Sequence, residues 1–269
     1  MKAAAFDYVR PRDLGEALAA LRRGAGEAKP IAGGQSLGPM LNLRLARPRL
    51  LVDVSRIESL RRIEDEGDGW RIGAAVTHAE LEDRPLAGCE PLASVARGVA
   101  YRAVRNRGTV GGSLAHADPA ADWPLAFATL DAVVRVAGPS GTREMRADAF
   151  MTAAFTTSLG DDEIVESIRV PKLGAGARWG YYKFCRKTGE FPEASAALLL
   201  DPQRRVARLF AGALERAPQL LDSVGRALAE RGAANNDLIG AALARAVPGL
   251  TPGARRLRIT AVQRAIARA

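Results

Sequence analysis

Pro30-Ile-Ala-Gly-Gly-Gln-Ser-Leu37 is the stretch from which the rest of the chain can be read. Ile31 and Ala32 read as the end of a short buried strand. Gly33 and Gly34 follow, and beyond Ser36 the apolar residues Leu37, Met40, Leu41 and Leu45 recur at helical spacing. Ser36 is the expected N-cap. Pro39 falls in the first turn, where no intrahelical N–H bond is lost. Two adjacent glycines let the backbone approach a ligand closely and turn its N–H groups toward it. A helix N-terminus adds unpaired donors and partial positive charge. The pattern suits a phosphate or pyrophosphate, and it suits equally a tight turn between a strand and a helix.

The sequence has 269 residues, enough for one large domain or two modest ones, and 48% apolar against 26% charged residues is ordinary for a globular protein. No apolar run approaches the roughly 20 residues of a membrane span, and Met1 to Tyr8 lacks the apolar core of a secretory signal. The expectation is a cytoplasmic protein without a membrane span. The only cysteines are Cys89 and Cys185, and the only histidines His78 and His116, so a four-Cys iron–sulfur cluster or a His-built metal site is not expected within this chain. The net charge is +9, but acids are interleaved with the arginines and aromatics make up 5%, too few for a base-stacking platform. An acidic partner or an anionic cofactor explains the charge better than nucleic acid does.

Taken in order, residues 13–24 predict a helix with Asp13 and Glu16 as a capping box. The glycine-pair unit and the strand Leu50–Val54 follow, so residues 1–55 read as an α/β unit. A hairpin is expected around Glu64–Gly69, a capped helix from Thr77, and another helix over Pro91–Tyr101. Val104 to Pro124 reads as a long loop carrying a second glycine pair, Gly111-Gly112, with the hydroxyls of Thr109 and Ser113 beside it. Within it Asp118 and Asp122 fit either a paired acid/base site or caps of a turn and a helix, the capping role being preferred. A hairpin at Gly138–Gly141 and a strand ending at Pro171 complete residues 56–173. Lys172 to Ala177 reads as a linker. Residues 178–269 give strands at 180–185, 195–200 and 205–210, then helices at about 218–230, 237–246 and 260–268, the last with Thr260 and Gln263 as its capping box. That is an antiparallel sheet with helices on one face, an α+β domain.

Four segments in this order, Ala32-Gly-Gly-Gln-Ser36, Arg105-Asn-Arg-Gly-Thr-Val-Gly-Gly-Ser113, Ala117-Asp-Pro-Ala-Ala-Asp122 and Lys187-Thr-Gly-Glu-Phe191, make the sequence resemble the FAD-binding medium subunit of the molybdenum hydroxylases, the xanthine dehydrogenase and carbon monoxide dehydrogenase family. The resemblance covers essentially the whole chain. It implies an α+β fold in which two subdomains of the PCMH type hold FAD, followed by the C-terminal α+β domain. It implies that Ile31, Ala32, Gly33, Gly34, Gln35, Ser36 and Leu37, with Thr109, Gly112, Ser113, Ala115 and His116, line the FAD pyrophosphate and its surroundings through backbone N–H groups and short side chains. Asp122 would lie beside the cofactor, on ribose or adenine-side hydroxyls. Leu159 would line the ring pocket, and Lys183 would reach the pyrimidine end of the flavin, where a cation stabilises developing negative charge. Glu190 stands where many relatives carry Asp, and Pro192 where a small residue is usual. The implied partners are an iron–sulfur small subunit with [2Fe–2S] clusters and a molybdopterin large subunit, assembled as a dimer of heterotrimers. No catalytic or metal-binding residue is expected in this chain. Two other readings compete. In one, a stand-alone flavin oxidase or reductase uses Glu190, His116 or Tyr182 as its acid/base group. In the other, the chain is a scaffold that has lost FAD.

Overall fold

In a computed structural model that describes residues 2–269, three sheets follow one another along the chain, each with its own apolar cluster. The first contains β1 (Asp7–Val9), α1 (Leu14–Arg23), β2 (Ala28–Ile31), α2 (Leu37–Asn42) and β3 (Leu50–Asp53). Its strands run parallel in the order β1-β3-β2. Asp13 caps α1 by accepting from the Glu16 N–H, and Ala17, Ala20 and Leu21 are its buried stripe. Glu16 closes back on the Arg12 N–H rather than on Asp13, one residue outside a standard capping box. The opening strand β1 escapes sequence reading. It has three residues, no alternation to speak of, and acquires its identity by pairing with residues more than 40 positions away. The cluster beneath this sheet also takes in Leu60, Ala75 and Ile164, so the first 55 residues do not close a core alone.

The middle sheet is antiparallel, in the order β4 (Ile63–Asp65), β5 (Gly69–Gly73), β10 (Ile164–Pro171), β6 (Val133–Gly138) and β7 (Gly141–Arg146). The expected hairpins at 64–69 and 138–141 are both present. Between β5 and β6 lie α3 (His78–Asp83), α4 (Pro91–Gly98), α5 (Arg102–Arg105), α6 (Val110–His116) and α7 (Asp122–Thr129). Thr77 and Glu80 form the complete capping box of α3. The expected loop over 104–124 is instead mostly these short helices. The second glycine pair sits inside α6, capped by Thr109 Oγ1 on the Gly112 N–H at 3.1 Å. Helices of four to eight residues show too few turns for a period to emerge. After β7 come α8 (Ala147–Phe150) and the small hairpin β8 (Met151–Ala153) with β9 (Thr156–Thr157).

The last unit is the antiparallel sheet β11 (Arg178–Phe184), β12 (Ala194–Asp201), β13 (Val206–Gly212) and β14 (Gln219–Leu220), followed by α9 (Asp222–Arg231), α10 (Asn236–Ala246) and α11 (Pro252–Ile266). Alternate residues of β12 serve two cores. Ala196, Leu198 and Leu200 face the three helices, while Ala197 faces Leu125 and Ala128 of α7. The third helix begins at Thr251, whose side chain caps Ala254, and not at Thr260. Thr260 lies mid-helix and returns its hydroxyl to the Arg256 carbonyl, while Gln263 reaches Asn236 of α10, so that pair is not a capping box. A Thr-x-x-Gln spacing occurs inside helices too, and only Pro252 at the first helical position marks the true start.

Gly180 lets α11 rest directly on β11, because a Cβ there would overlap the Ala265 carbonyl. Gly180→Ala is expected to destabilise the protein by about 1–3 kcal/mol through overpacking, measured as a lowered midpoint in urea denaturation.

Candidate functional site

The two glycine-bearing segments meet. Gly33 lies so close to Arg107 and Gly108 that a Cβ would overlap the Arg107 carbonyl, and Arg107 Nε donates to the Gly33 carbonyl at 3.3 Å. Gly34 has φ +69°, which places its peptide where a non-glycine residue would be strained. Intrahelical bonding starts only with the Gly38 N–H on the Gly34 carbonyl. Among the described residues, no protein acceptor takes the N–H groups of Gly33, Gly34, Gln35, Ser36 or Leu37. Ser36 occupies the N-cap position with helical angles and makes no side-chain cap bond, contrary to the expectation. The helix behind it spans six residues, and Leu45 lies beyond its end, 72% exposed. The donors of the turn, more than a helix dipole, are therefore what this segment offers an anion.

The second cradle is built differently. The N–H groups of Val110, Gly111 and Ser113 already bond the carbonyls of Val76, Ala74 and Thr109, and that of Gly112 bonds Thr109 Oγ1. Gly111 serves packing, since a Cβ there would collide with Ala74. Thr109 is buried, and its Oγ1 keeps a proton to donate. Ser113 and His116 are half-buried on α6, Gly112 and Ala115 are exposed, and the His116 ring lies 5.4 Å from that of Phe155. Leu159 packs at the edge of the middle core.

His78 supports the junction from below. Trp123 Nε1 donates to its Nδ1 at 3.0 Å, and its ring lies against Gly108, whose carbonyl accepts the His78 N–H at 2.9 Å. Burial, with a smaller push from the Arg105 charge, lowers its pKa to about 4.

Asp122 and Lys183 come together from separate parts of the sequence. Lys183 Nζ donates to Asp122 Oδ1 at 2.8 Å, to Oδ2 at 3.0 Å and to the Gly98 carbonyl at 2.7 Å. Tyr181 donates its hydroxyl to Asp122 Oδ1 as well. The side chains of Asp122 and Lys183 are 8% and 15% exposed. Asp122 therefore does not cap a helix: Ala121 holds the N-cap position of α7, and the carboxylate turns to β11. Asp118 does hold a turn, accepting from the Ala120 N–H at 2.9 Å. Arg105, paired with Glu82 at 2.7 Å, donates to the Val99 and Ala100 carbonyls, so three successive carbonyls at the end of α4 each meet a cation. Of the acid/base candidates, Tyr182 points the other way, into the C-terminal core, under the Arg268 guanidinium. Glu190 is exposed on the loop after β11.

Sequence reading passed over Arg107, Gly98, His78 and Tyr181. For Tyr181 a signal exists, since it precedes Lys183 by two residues on a strand and so shares its face. For Gly98 there is none, because only its carbonyl is used.

The family model for the FAD binding domain in molybdopterin dehydrogenase matches residues 4–173. The chain belongs to the FAD-binding medium subunits of the molybdenum hydroxylases. It is 40% identical to the carbon monoxide dehydrogenase medium chain of Hydrogenophaga pseudoflava over 197 residues, 72% of this chain and 69% of that one. It is 38% identical to the nicotine 6-hydroxylase medium subunit of Paenarthrobacter nicotinovorans over 203 residues, 75% and 71% of the two chains. The solved carbon monoxide dehydrogenase from Hydrogenophaga pseudoflava that lacks the Mo-pyranopterin moiety superposes with a TM-score of 0.91 at 33% identity, covering 100% of this chain and 98% of that one. The α+β fold is thus the medium-subunit fold along its full length, and this subunit is an FAD-containing oxidoreductase component. Its unpaired donors and its Cβ-free approach at Gly33 suit the diphosphate of that cofactor.

Two outcomes follow from this geometry. Gly33→Ala is expected to force the segments apart and weaken FAD binding at least about tenfold, since a misplaced cradle loses one or more charge-assisted hydrogen bonds; flavin fluorescence titration measures it. His78 stays neutral when folded down to about pH 4, whereas the unfolded chain protonates near pH 6.5. The unfolded state thus binds the extra proton, and stability falls by up to about 3 kcal/mol as pH drops from 6.5 to 4. His78→Gln should flatten that fall in urea titrations run across the same window.

Proposed function

We propose that this chain is the electron-transferring subunit of a heteromeric molybdenum hydroxylase, relaying electrons from iron–sulfur clusters of a small subunit to an external acceptor. A molybdopterin large subunit would carry substrate oxidation, in a cytoplasmic dimer of heterotrimers. The observation that carries this reading is the run of five unpaired backbone donors, Gly33 to Leu37, held against Arg107 and Gly108 in a medium-subunit chain. Bound FAD supplies the exchange between one-electron and two-electron carriers. The two cysteines fall short of the four thiolates that a cluster takes, which supports clusters housed in another chain.

Within that reading the residues divide the work. Gly33, Gly34, Gln35, Ser36 and Leu37 donate to the pyrophosphate, with Ile31 and Ala32 delivering them from the end of β2. Thr109 and Ser113 add hydroxyl donors, and the bare backbone of Gly112 lets the cofactor approach α6, flanked by Ala115 and His116. Leu159 walls the ring pocket. Lys183 holds a positive charge at the pyrimidine end. Asp122 acts on Lys183, whose ammonium meets both of its oxygens, and also accepts the Tyr181 hydroxyl. The division into residues 1–55, 56–173 and 178–269 is supported by three successive sheets, with the first borrowing core residues from the second. A stand-alone flavin enzyme would need an acid/base group at the site; of its three candidates Tyr182 points into the C-terminal core, Glu190 is exposed, and His116 alone lies on α6, its ring against Phe155.

The purified chain is expected to show a flavin absorption spectrum and to release FAD, identified by mass. Gly112→Val should lower FAD occupancy, because its side chain would displace Thr109 Oγ1, 2.8 Å from the new Cβ. Expressed with its neighbouring genes, the chain should purify with iron–sulfur and molybdopterin subunits. A chain that oxidises a substrate by itself, with no such partner, would refute the relay.

A further inference from the structure

Tyr181 and Lys183 leave the same face of β11 and converge on one carboxylate. The Tyr181 hydroxyl and Lys183 Nζ both donate to Asp122 Oδ1, and Nζ also reaches Oδ2 at 3.0 Å and the Gly98 carbonyl at 2.7 Å. The tyrosine ring is itself fixed, stacked on Trp179 with 6.3 Å between centroids and packed against Leu125, Ala128 and Phe210. Its hydroxyl stays protonated, because burial and the adjacent anion push its pKa well above the ordinary value. It is therefore a permanent donor. Lysine is a point charge on a flexible stem and does not select one geometry unaided. A carboxylate free to rotate would not select one for it either.

We propose that Tyr181 is a positioning residue: it fixes the Asp122 carboxylate, which in turn fixes the Lys183 ammonium on the Gly98 carbonyl, so that the charge presented to the flavin has one location. This rests on the placement of Lys183 beside the flavin given under Proposed function. Tyr181 touches neither cofactor nor substrate. Its effect passes through Asp122. The polar arrangement also spans two units of the fold, since Asp122 opens α7 and Gly98 ends α4, while Tyr181 and Lys183 belong to the C-terminal sheet.

The first test reads Lys183 itself. In the full chain freed of flavin, amine acetylation by an N-hydroxysuccinimide ester is followed at Lys183 by mass spectrometry, with the exposed Lys29 as internal reference. Tyr181→Phe should accelerate labelling of Lys183 by about threefold or more, the size of one lost hydrogen bond, and leave Lys29 unchanged. Asp122→Asn should release Lys183 at least as much. Labelling of Lys183 at the wild-type rate in Tyr181→Phe overturns the role of Tyr181, and at the wild-type rate in Asp122→Asn it overturns the hold of the carboxylate on Lys183. The second test, on the flavin-loaded chain, is a spectroelectrochemical titration giving the ratio of affinities for reduced and oxidised flavin. Lys183→Met should lower that ratio, and Tyr181→Phe should lower it by a smaller factor. A lowered ratio in Lys183→Met with an unchanged one in Tyr181→Phe overturns the role of Tyr181. An unchanged ratio in Lys183→Met overturns the placement of Lys183 at the flavin, whatever the labelling shows.

Discussion

The middle and C-terminal units are arranged around a helix with no outward face. All eight residues of Asp122–Thr129 are buried, and they include Trp123, Leu125, Phe127 and Thr129. A helix that is apolar all round has to be covered on every side. Trp123, Ala126 and Phe127 fill the middle core, and Leu125 and Ala128 meet Ala197 and Phe210 of the C-terminal sheet. Each large side chain removed from water contributes about 1.5–3 kcal/mol, so this helix alone supplies a strong reason for the two units to associate. Its two polar side chains are both provided for: Thr129 returns its hydroxyl to the Leu125 carbonyl, and Asp122 meets Tyr181 and Lys183.

Because the helix is trapped between the middle core and the C-terminal sheet, its N-terminal end is held in place, and the charged pair lies there. Removing one partner of a buried pair leaves the other uncompensated, at a cost of about 3–5 kcal/mol. A second polar contact between the same units lies farther along, where Arg208 meets Asp131 and Asp148 and donates to the Ala128 carbonyl. Arg105 and Arg143 likewise each pair with a carboxylate and donate to backbone carbonyls.

Glycine does two kinds of work near the cradles, which sequence cannot separate. Gly111 and Gly33 are required by neighbours in the protein: Ala74 in one case, the Arg107 carbonyl in the other. Gly34 is required by its own left-handed backbone. The two glycine pairs look alike in the sequence, yet one leaves its N–H groups free and the other spends them on the Ala74 carbonyl and Thr109 Oγ1.

Local order was legible wherever the signal was local. The capping box at Thr77 and Glu80, the hairpin turns at 64–69 and 138–141, the alternation of Ile164–Pro171 and the four family segments could all be read from neighbours in the chain, because propensity, capping and turn chemistry act within a few residues. The strand Asp7–Val9, the short helices between 102 and 129 and the start of the last helix at Thr251 could not, since they are too short or too ambiguous to declare themselves without their partners. The sequence by itself determined the family, the α+β class and the segments that carry the cradles. Only the tertiary structure decided that Gly33 touches Arg107, that the second cradle's donors are already used, and that Asp122 meets Lys183 and Tyr181 instead of capping its helix. Those outcomes depend on contacts between residues about 34 to 74 positions apart, and such contacts are set by how buried surfaces fit together rather than by any pattern along the chain.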